Sequence, residues 1–81
     1  MPDDPDEILL IRIDPCRKMA RFYALSIVPT LFGGYAVQRS WGRIGTAGRS
    51  RLDLFPDRPS ANACKARLER SKRRRGYLQR P

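Results

Sequence analysis

The chain has 81 residues, which is enough for one small domain with a limited core and excludes a second domain. Fourteen arginines and three lysines oppose eight acidic residues, so the net charge is +9, and the pI of about 10.8 is typical of proteins that bind polyanions. Histidine is absent, which excludes histidine-based catalysis and argues against a zinc site, since only two widely spaced cysteines remain as thiol ligands.

The N-terminal part of the chain predicts a flexible segment followed by a strand. Residues 1–7 contain two prolines and four acidic residues and are expected to form an acidic, flexible lead-in. Residues 8–13 are rich in branched aliphatic side chains and stop at Asp14-Pro15, which predicts a strand at the edge of a sheet. The apolar run over residues 8–11 is too short for a signal peptide or a membrane span, so we expect a cytoplasmic protein without a membrane partner.

Three more strands are predicted from alternation and from glycine-rich turns. Residues 22–28 alternate large apolar and small side chains, as a half-buried strand does. A glycine-rich turn leads to a third strand over residues 35–41. Gly45 and Gly48 then predict a hairpin loop into a fourth strand over residues 49–55. Connections this short predict antiparallel neighbours.

The third strand places an arginine among apolar side chains. If its alternation is unbroken, one face carries Tyr35, Val37, Arg39 and Trp41. Arg39 must then reach the rim of the sheet or pair with an anion. A β-bulge before Trp41 would also resolve the conflict.

One helix is predicted near the C-terminus. It opens at Pro59-Ser60 with Ser60 as its N-cap, and it runs to about residue 74 with Gly76 as the C′ residue. Its apolar stripe consists of Ala61, Cys64 and Leu68. The fold class is therefore α+β, a small antiparallel sheet of about four strands with one C-terminal helix packed on it. The domain is expected over residues 8–78, with residues 79–81 as a tail.

Basic residues cluster on the second half of this helix. Arg67, Arg70 and Arg74 repeat at helical spacing, and residues 72–75 are four consecutive cations. A solvated helix face explains such a pattern, and cations also complement the macrodipole at a helix C-terminus. The unbroken run without an acidic residue favours phosphate binding.

Several short motifs occur in a characteristic order along the chain. They are Arg21-Phe22-Tyr23, Leu31-Phe32-Gly33, Trp41-Gly42-Arg43-Ile44-Gly45-Thr46 with Gly48, and Lys72 before Arg75-Gly76-Tyr77. In this combination the chain resembles the WGR domain over residues 8–78. Such domains occur inside DNA-damage-responsive poly(ADP-ribose) polymerases and as free-standing small bacterial proteins, and this chain resembles the latter.

The resemblance implies a compact antiparallel sheet with one helix across it, and DNA binding near a strand break. It implies that Trp41 packs on a terminal nucleotide and that Arg43 contacts DNA or a neighbouring domain. Arg39 and Arg21 match positions that are usually basic in the family. The role of relaying a break signal to a catalytic domain does not carry over.

Two positions depart from the family pattern, and one key residue has two interpretations. Tyr35 stands where tryptophan is frequent, and Lys18 stands where asparagine is expected.

Trp41, the only tryptophan, is either a core residue that caps the sheet or a partly exposed stacking platform; the resemblance favours the second. For the glycines of the motif, turn geometry is the preferred explanation.

We therefore predict a non-enzymatic nucleic-acid-binding module of bacterial type, associated with DNA repair, which binds DNA ends, nicks or single-stranded regions with little sequence specificity. DNA is favoured over RNA. The predicted binding residues are Trp41, Gly42, Arg43, Arg39, Arg21, Arg49, Arg67, Arg70, Lys72, Arg73, Arg74 and Arg75, with Arg51 as an alternative to Arg49 in capturing phosphates.

The alternative is a protein-interaction adaptor in which Trp41 and Arg43 form the hot spot that docks on a partner protein. No paired carboxylates or other catalytic constellation supports an enzyme. We expect no cofactor, no metal ion and a monomer. Cys16 and Cys64 are expected to be free thiols.

Overall fold

A computed structural model describes residues 7–79 of the chain. Within them, five strands form one antiparallel sheet in the order β4-β3-β2-β1-β5, with one helix across one side. The elements are β1 (Ile8–Asp14), a 3₁₀ helix (Pro15–Arg17), β2 (Met19–Pro29), β3 (Tyr35–Arg43), β4 (Arg49–Phe55), α1 (Arg58–Arg74) and β5 (Leu78–Gln79). The predicted α+β fold is confirmed. The predicted lead-in and tail lie mostly outside the described residues.

The predicted edge position of β1 is wrong. The chain returns after α1 and places Leu78 and Gln79 beside Ile11 and Leu10, so that β1 pairs with β2 on one side and β5 on the other. A two-residue strand has no alternation of its own, and its pairing depends on where the helix ends.

β3 keeps an unbroken register with both neighbours, so no bulge precedes Trp41. Tyr35, Val37, Arg39 and Trp41 therefore share the face that α1 covers in part, as the alternation predicts. The charge of Arg39 among these apolar side chains is compensated by an ion pair, in which its Nε lies 3.4 Å from Oδ2 of Asp53 on β4.

The helix begins at Arg58, two residues after Pro56, and the predicted N-cap is wrong. Asp57 is the N-cap, and its Oδ1 accepts the Ser60 backbone N–H at 2.8 Å. Asp57 and Ser60 are both favoured N-cap types, and Pro59 is tolerated anywhere in the first turn. The side chain of Asp57 reaches the N–H three residues on, which leaves Ser60 inside the helix.

The helix ends as predicted, with Gly76 at φ +97°. The Gly76 N–H donates to the Arg73 carbonyl and the Tyr77 N–H donates to the Lys72 carbonyl, each at 3.1 Å. These two bonds are those of a Schellman motif. They turn the chain back to the sheet and bring Tyr77 into the core.

The core lies between α1 and the sheet. Ala61 and Cys64 of α1 pack on buried strand residues, with Tyr77 closing one end; the fully buried large side chains are Leu10, Leu25 and Val37. Leu68 and Trp41 are half-buried against this core. Both cysteines are free, Cys16 exposed and Cys64 buried. Among residues 7–79, no helix is long and apolar enough to cross a membrane.

Candidate nucleic-acid interface

Trp41 lies near the end of β3, opposite Tyr23 of β2 and Arg49 of β4. One part of its side chain packs against the core, and the remainder is accessible. Trp41 is thus partly a core residue and partly accessible, and its side chain forms the wall between two clefts.

The first cleft, of about 440 Å³, opens between Trp41 and the turn that joins β1 to β2. The 3₁₀ helix and the start of β2 supply one wall, and the end of β3 and the side chains of Lys72 and Tyr77 supply the rest. Its basic lining residues are Arg17, Lys18, Arg21, Arg43 and Lys72.

The second cleft, of about 370 Å³, lies on the other side of Trp41 between α1 and β3–β4. Leu68 and Ser71 of α1 form its helix wall. Its basic lining residues are Arg39, Arg51, Lys72 and Arg75. Among the described residues, no acidic side chain lines either cleft. Trp41 and Lys72 belong to both.

Lys72 is held at the centre of this surface by two tyrosines. Its Nζ lies 4.6 Å from the ring centroid of Tyr23 and 5.4 Å from that of Tyr77, within the range of a cation–π contact. Burial lowers the pKa of Lys72, and the nearby charges of Arg75, Arg39 and Arg21 lower it further. The cations around Lys72 thus repel one another in the absence of an anion.

Asp53 is shared by two arginines at the second cleft. Its Oδ1 accepts a hydrogen bond from Arg51 Nε at 3.1 Å, while Arg39 Nε is 3.4 Å from Oδ2. The Arg39 contact is an ion pair without hydrogen-bond geometry, and this buried Nε has no hydrogen-bond partner among the described residues. A hydrogen bond with the Tyr23 hydroxyl raises the pKa of Arg39, and the Asp53 charge adds a smaller contribution. One carboxylate against two guanidinium groups leaves the site cationic.

The loop after Trp41 is closely packed at Gly48. This glycine has φ +68°, and a Cβ there would lie 2.2 Å from the Trp41 carbonyl oxygen. Thr46 Oγ1 donates to the Arg43 carbonyl at 2.7 Å and closes the turn. Turn geometry thus explains this glycine, and the loop fixes the backbone on which Trp41 and Arg43 are presented.

The resemblance predicts asparagine at the position of Lys18, and the backbone conformation of Lys18 is one that asparagine adopts readily. It has φ 52° and ψ 39°, in the left-handed region. Asparagine tolerates this region better than other residues with a β-carbon. Lysine at this position places one more cation on the first cleft.

A family model of the WGR domain matches residues 6–81. The chain belongs to the WGR domain family. It is 44% identical over 81 residues to an uncharacterized protein, y4dW, of Sinorhizobium fredii (strain NBRC 101917 / NGR234). That match covers 100% of this chain and 40% of the relative, so the chain spans about two fifths of its relative's length. No solved structure matches significantly.

The clefts of this WGR domain bring together part of the predicted binding set. The members that line a cleft are Trp41, Gly42, Arg43, Arg39, Arg21, Lys72 and Arg75. Arg51, the alternative to Arg49, lines the second cleft, and Arg17 and Lys18 line the first although the sequence did not predict them. Arg51 neighbours the predicted Arg49 along β4, whereas Arg17 and Lys18 come from a turn far away in sequence.

The other predicted residues of the WGR domain do not line the two clefts. Arg49 is exposed at the start of β4, and Arg67, Arg70 and Arg74 are exposed on α1. Arg73 is engaged in local contacts: its Nε donates to Glu69 at 2.9 Å and its terminal nitrogen to Gln79 at 3.0 Å. The spacing of the helix arginines was read correctly from the sequence, but most of them lie away from Trp41.

Proposed function

We propose that this WGR domain binds nucleic acid at the two clefts beside Trp41, and that its ligand is DNA at ends, nicks or single-stranded stretches. The observation that carries the proposal is the composition of the clefts. Cations from four separate parts of the chain converge on one half-buried tryptophan, and no described acidic residue shares the lining. Such a surface suits a polyanion with flat bases.

The proposed mechanism has two parts. Phosphates are captured by the basic lining, where Arg43 serves the first cleft and Arg75 with Arg51 serve the second. An unpaired or terminal base then stacks on the accessible part of Trp41, which is worth about 1–3 kcal/mol per base. A base inside an intact duplex has no free face to offer, so ends, nicks and single strands are favoured.

Little sequence preference is expected. Direct reading of bases in the major groove needs an element that enters the groove, and α1 instead lies packed against the sheet through Ala61 and Cys64. The resemblance to WGR domains of DNA-damage-responsive polymerases supports DNA over RNA.

The adaptor alternative has weaker support. The cores of protein interfaces are depleted in charge, whereas the surroundings of Trp41 are dominated by guanidinium and ammonium groups. A protein partner at this site would have to be strongly acidic.

The test is a titration of matched intact, nicked and single-stranded DNA against wild type and Trp41→Leu. Leucine keeps apolar contact with the core and removes the stacking surface, and a thermal melt verifies folding. We expect nicked and single-stranded DNA to lose about 5- to 150-fold in affinity, as stacking energies imply. If the folded variant binds all three DNAs as tightly as wild type, stacking on Trp41 is excluded. If wild type binds intact and nicked DNA equally well, the preference for nicks is excluded and the binding is only electrostatic.

Arg75 and Arg74 provide a matched pair for the electrostatic part. They are adjacent exposed arginines, and only Arg75 lines a cleft. Arg75→Ala is expected to weaken binding several-fold and to reduce the salt dependence by about one phosphate contact, whereas Arg74→Ala changes both less. Equal effects would place the phosphates along the helix rather than in the clefts.

A further inference from the structure

The side of the sheet that faces away from α1 carries no ionisable side chain in strands β1 to β5. Alternation places Leu9 and Ile13 of β1, Leu52 and Leu54 of β4, and Leu78 of β5 on this side, which we call the outer face. Their exposed fractions are 38%, 60%, 57%, 73% and 67%. Most of the large exposed apolar side chains of the described chain therefore lie on one surface.

Uncharged residues fill the middle of the outer face, where β2 contributes Ala20, Phe22, Ala24, Ser26 and Val28. Leu52 pairs with Gln38, and Leu54 pairs with Ala36. Ala36 is 2% exposed but lies outside the core formed with α1, because its neighbours on the outer face cover it. The outer face is thus an uncharged, largely apolar surface.

The cations of the strands all lie on the opposite side. Cross-strand pairs join Arg12 to Arg21, Arg21 to Arg43 and Arg39 to Arg51, and Arg49 pairs with Trp41. Each of these residues faces the α1 side by the same alternation that turns Leu52 and Leu54 outward. Two copies of a chain with net charge +9 repel each other in any approach that brings their α1 sides together.

We propose that the outer face packs against the outer face of a second copy in a two-fold symmetric dimer. An apolar face without charges is complementary to itself under such symmetry, and sheets stack about 10 Å apart with their strands nearly aligned. The strand arginines that line the clefts then point away from the dimer centre, and those of the two copies are farther apart than the screening length of about 8–10 Å. This proposal departs from the expectation of a monomer, which did not consider the separation of charge from apolar surface.

The available area is adequate for such a dimer. The four longer strands, at a spacing of about 4.8 Å and a length of about 25 Å, give a face of roughly 500 Å² per copy. Two copies would bury roughly 1,000 Å², which is the lower limit for a specific interface, so association in the micromolar range is expected.

The experiment is sedimentation velocity on the protein without nucleic acid, over a range of concentrations up to about 100 µM. Wild type is expected to shift from monomer to dimer. Leu54→Glu places a charge on each side of the two-fold interface and is expected to raise the dissociation constant at least about tenfold. Ala63→Glu adds the same charge at an exposed position of α1 and is expected to leave association unchanged.

Three results would overturn the proposal. One is a wild type that stays monomeric throughout the range. Another is an equal loss of association in Leu54→Glu and Ala63→Glu, which would indicate a general charge effect. The third is a dimer that survives Leu54→Glu but is lost in Leu31→Glu, which would place the contact at the exposed turn between β2 and β3. Since no nucleic acid is used, failure here leaves the proposed function untouched.

Discussion

Lys72 experiences opposing forces in the absence of a ligand. The ring faces of Tyr23 and Tyr77 attract its ammonium group, whereas burial and neighbouring guanidinium groups lower its pKa. A phosphate in either cleft would compensate these charges and raise the pKa of Lys72 again. An anion bound in the clefts would therefore relieve a repulsion that is present in the free domain.

Substitutions at Lys18 test whether a residue of the first cleft favours binding at the expense of the stability of the free domain. Lys18→Asn is expected to raise the free energy of unfolding by about 0.5–1 kcal/mol, because asparagine tolerates the left-handed conformation better. The same change should weaken DNA binding, because it removes a cation from the first cleft. Chemical denaturation and a DNA titration measure the two effects.

Lys18→Ala is the control for this prediction. Alanine removes the charge and keeps a β-carbon without the polar group, so affinity should fall as in Lys18→Asn while stability does not rise. A lower unfolding free energy in Lys18→Asn than in Lys18→Ala would contradict the conformational explanation.

At the scale of elements, the ends of β3 and α1 position the site. The hairpin after Trp41 is held by close backbone contact at Gly48, and the Schellman motif after Arg75 returns Tyr77 to the side of Lys72. Both ends depend on a glycine with positive φ, at Gly48 and Gly76. The clefts are therefore built by local geometry at two chain reversals.

The β3–β4 hairpin contains a matched pair of glycines. Gly48→Ala is expected to lower the unfolding free energy by about 3 kcal/mol, since a Cβ would overlap the Trp41 carbonyl in addition to straining the backbone. Gly45→Ala meets open space at φ +95° and should cost about 1 kcal/mol. Denaturant unfolding curves measure both; similar losses would show that packing against Trp41 is unimportant.

The N-cap of α1 predicts a pH dependence of stability. The Ser60 backbone N–H lowers the pKa of Asp57 below its ordinary value of 3.8, so the cap stabilises the fold above that pH and is lost as the pH falls through the lower folded value. Asp57→Ala should lower the melting temperature at neutral pH, with the difference from wild type narrowing in acid. Ser60→Ala should lower the melting temperature less than Asp57→Ala at neutral pH. A larger loss in Ser60→Ala would indicate that Ser60 is the N-cap.

Local signals predicted most of the elements but only part of the site. Alternation and glycine turns located β2, β3 and β4, and the Ala61–Cys64–Leu68 stripe located α1. β5 was not predicted, because a strand of two residues is too short to show an alternation of apolar and polar side chains. Trp41 and Arg43 were found because they are adjacent in sequence, whereas Arg17 and Lys18 reach the first cleft only through tertiary packing. Helical spacing grouped Arg67, Arg70 and Arg74 without showing which way that face points.

At the scale of the whole molecule, charge and apolar surface occupy opposite sides of one sheet. The α1 side carries the arginines of the strands, and the outer face carries none. Concentrating cations on one side strengthens the local potential and speeds capture of a polyanion. The same arrangement leaves the other side free for contacts that do not depend on charge.

This concentration of charge predicts a steep salt response. If between five and eight cleft cations meet phosphates, the slope of log affinity against log salt is expected to lie between about −4 and −7. Titrations with one DNA at several salt concentrations measure it. Self-association through the outer face should change little over the same range, because it buries no ion pair. A slope near zero for DNA would exclude capture by the clefts.

Trp41 also makes the domain its own spectroscopic probe. It is the only tryptophan in the chain, so intrinsic fluorescence excited above the tyrosine absorption reports on the wall between the two clefts and on nothing else. A base stacked on the indole should quench this emission, whereas pairing of two outer faces leaves the indole environment intact. A single unlabelled titration can thus distinguish occupancy of the clefts from self-association.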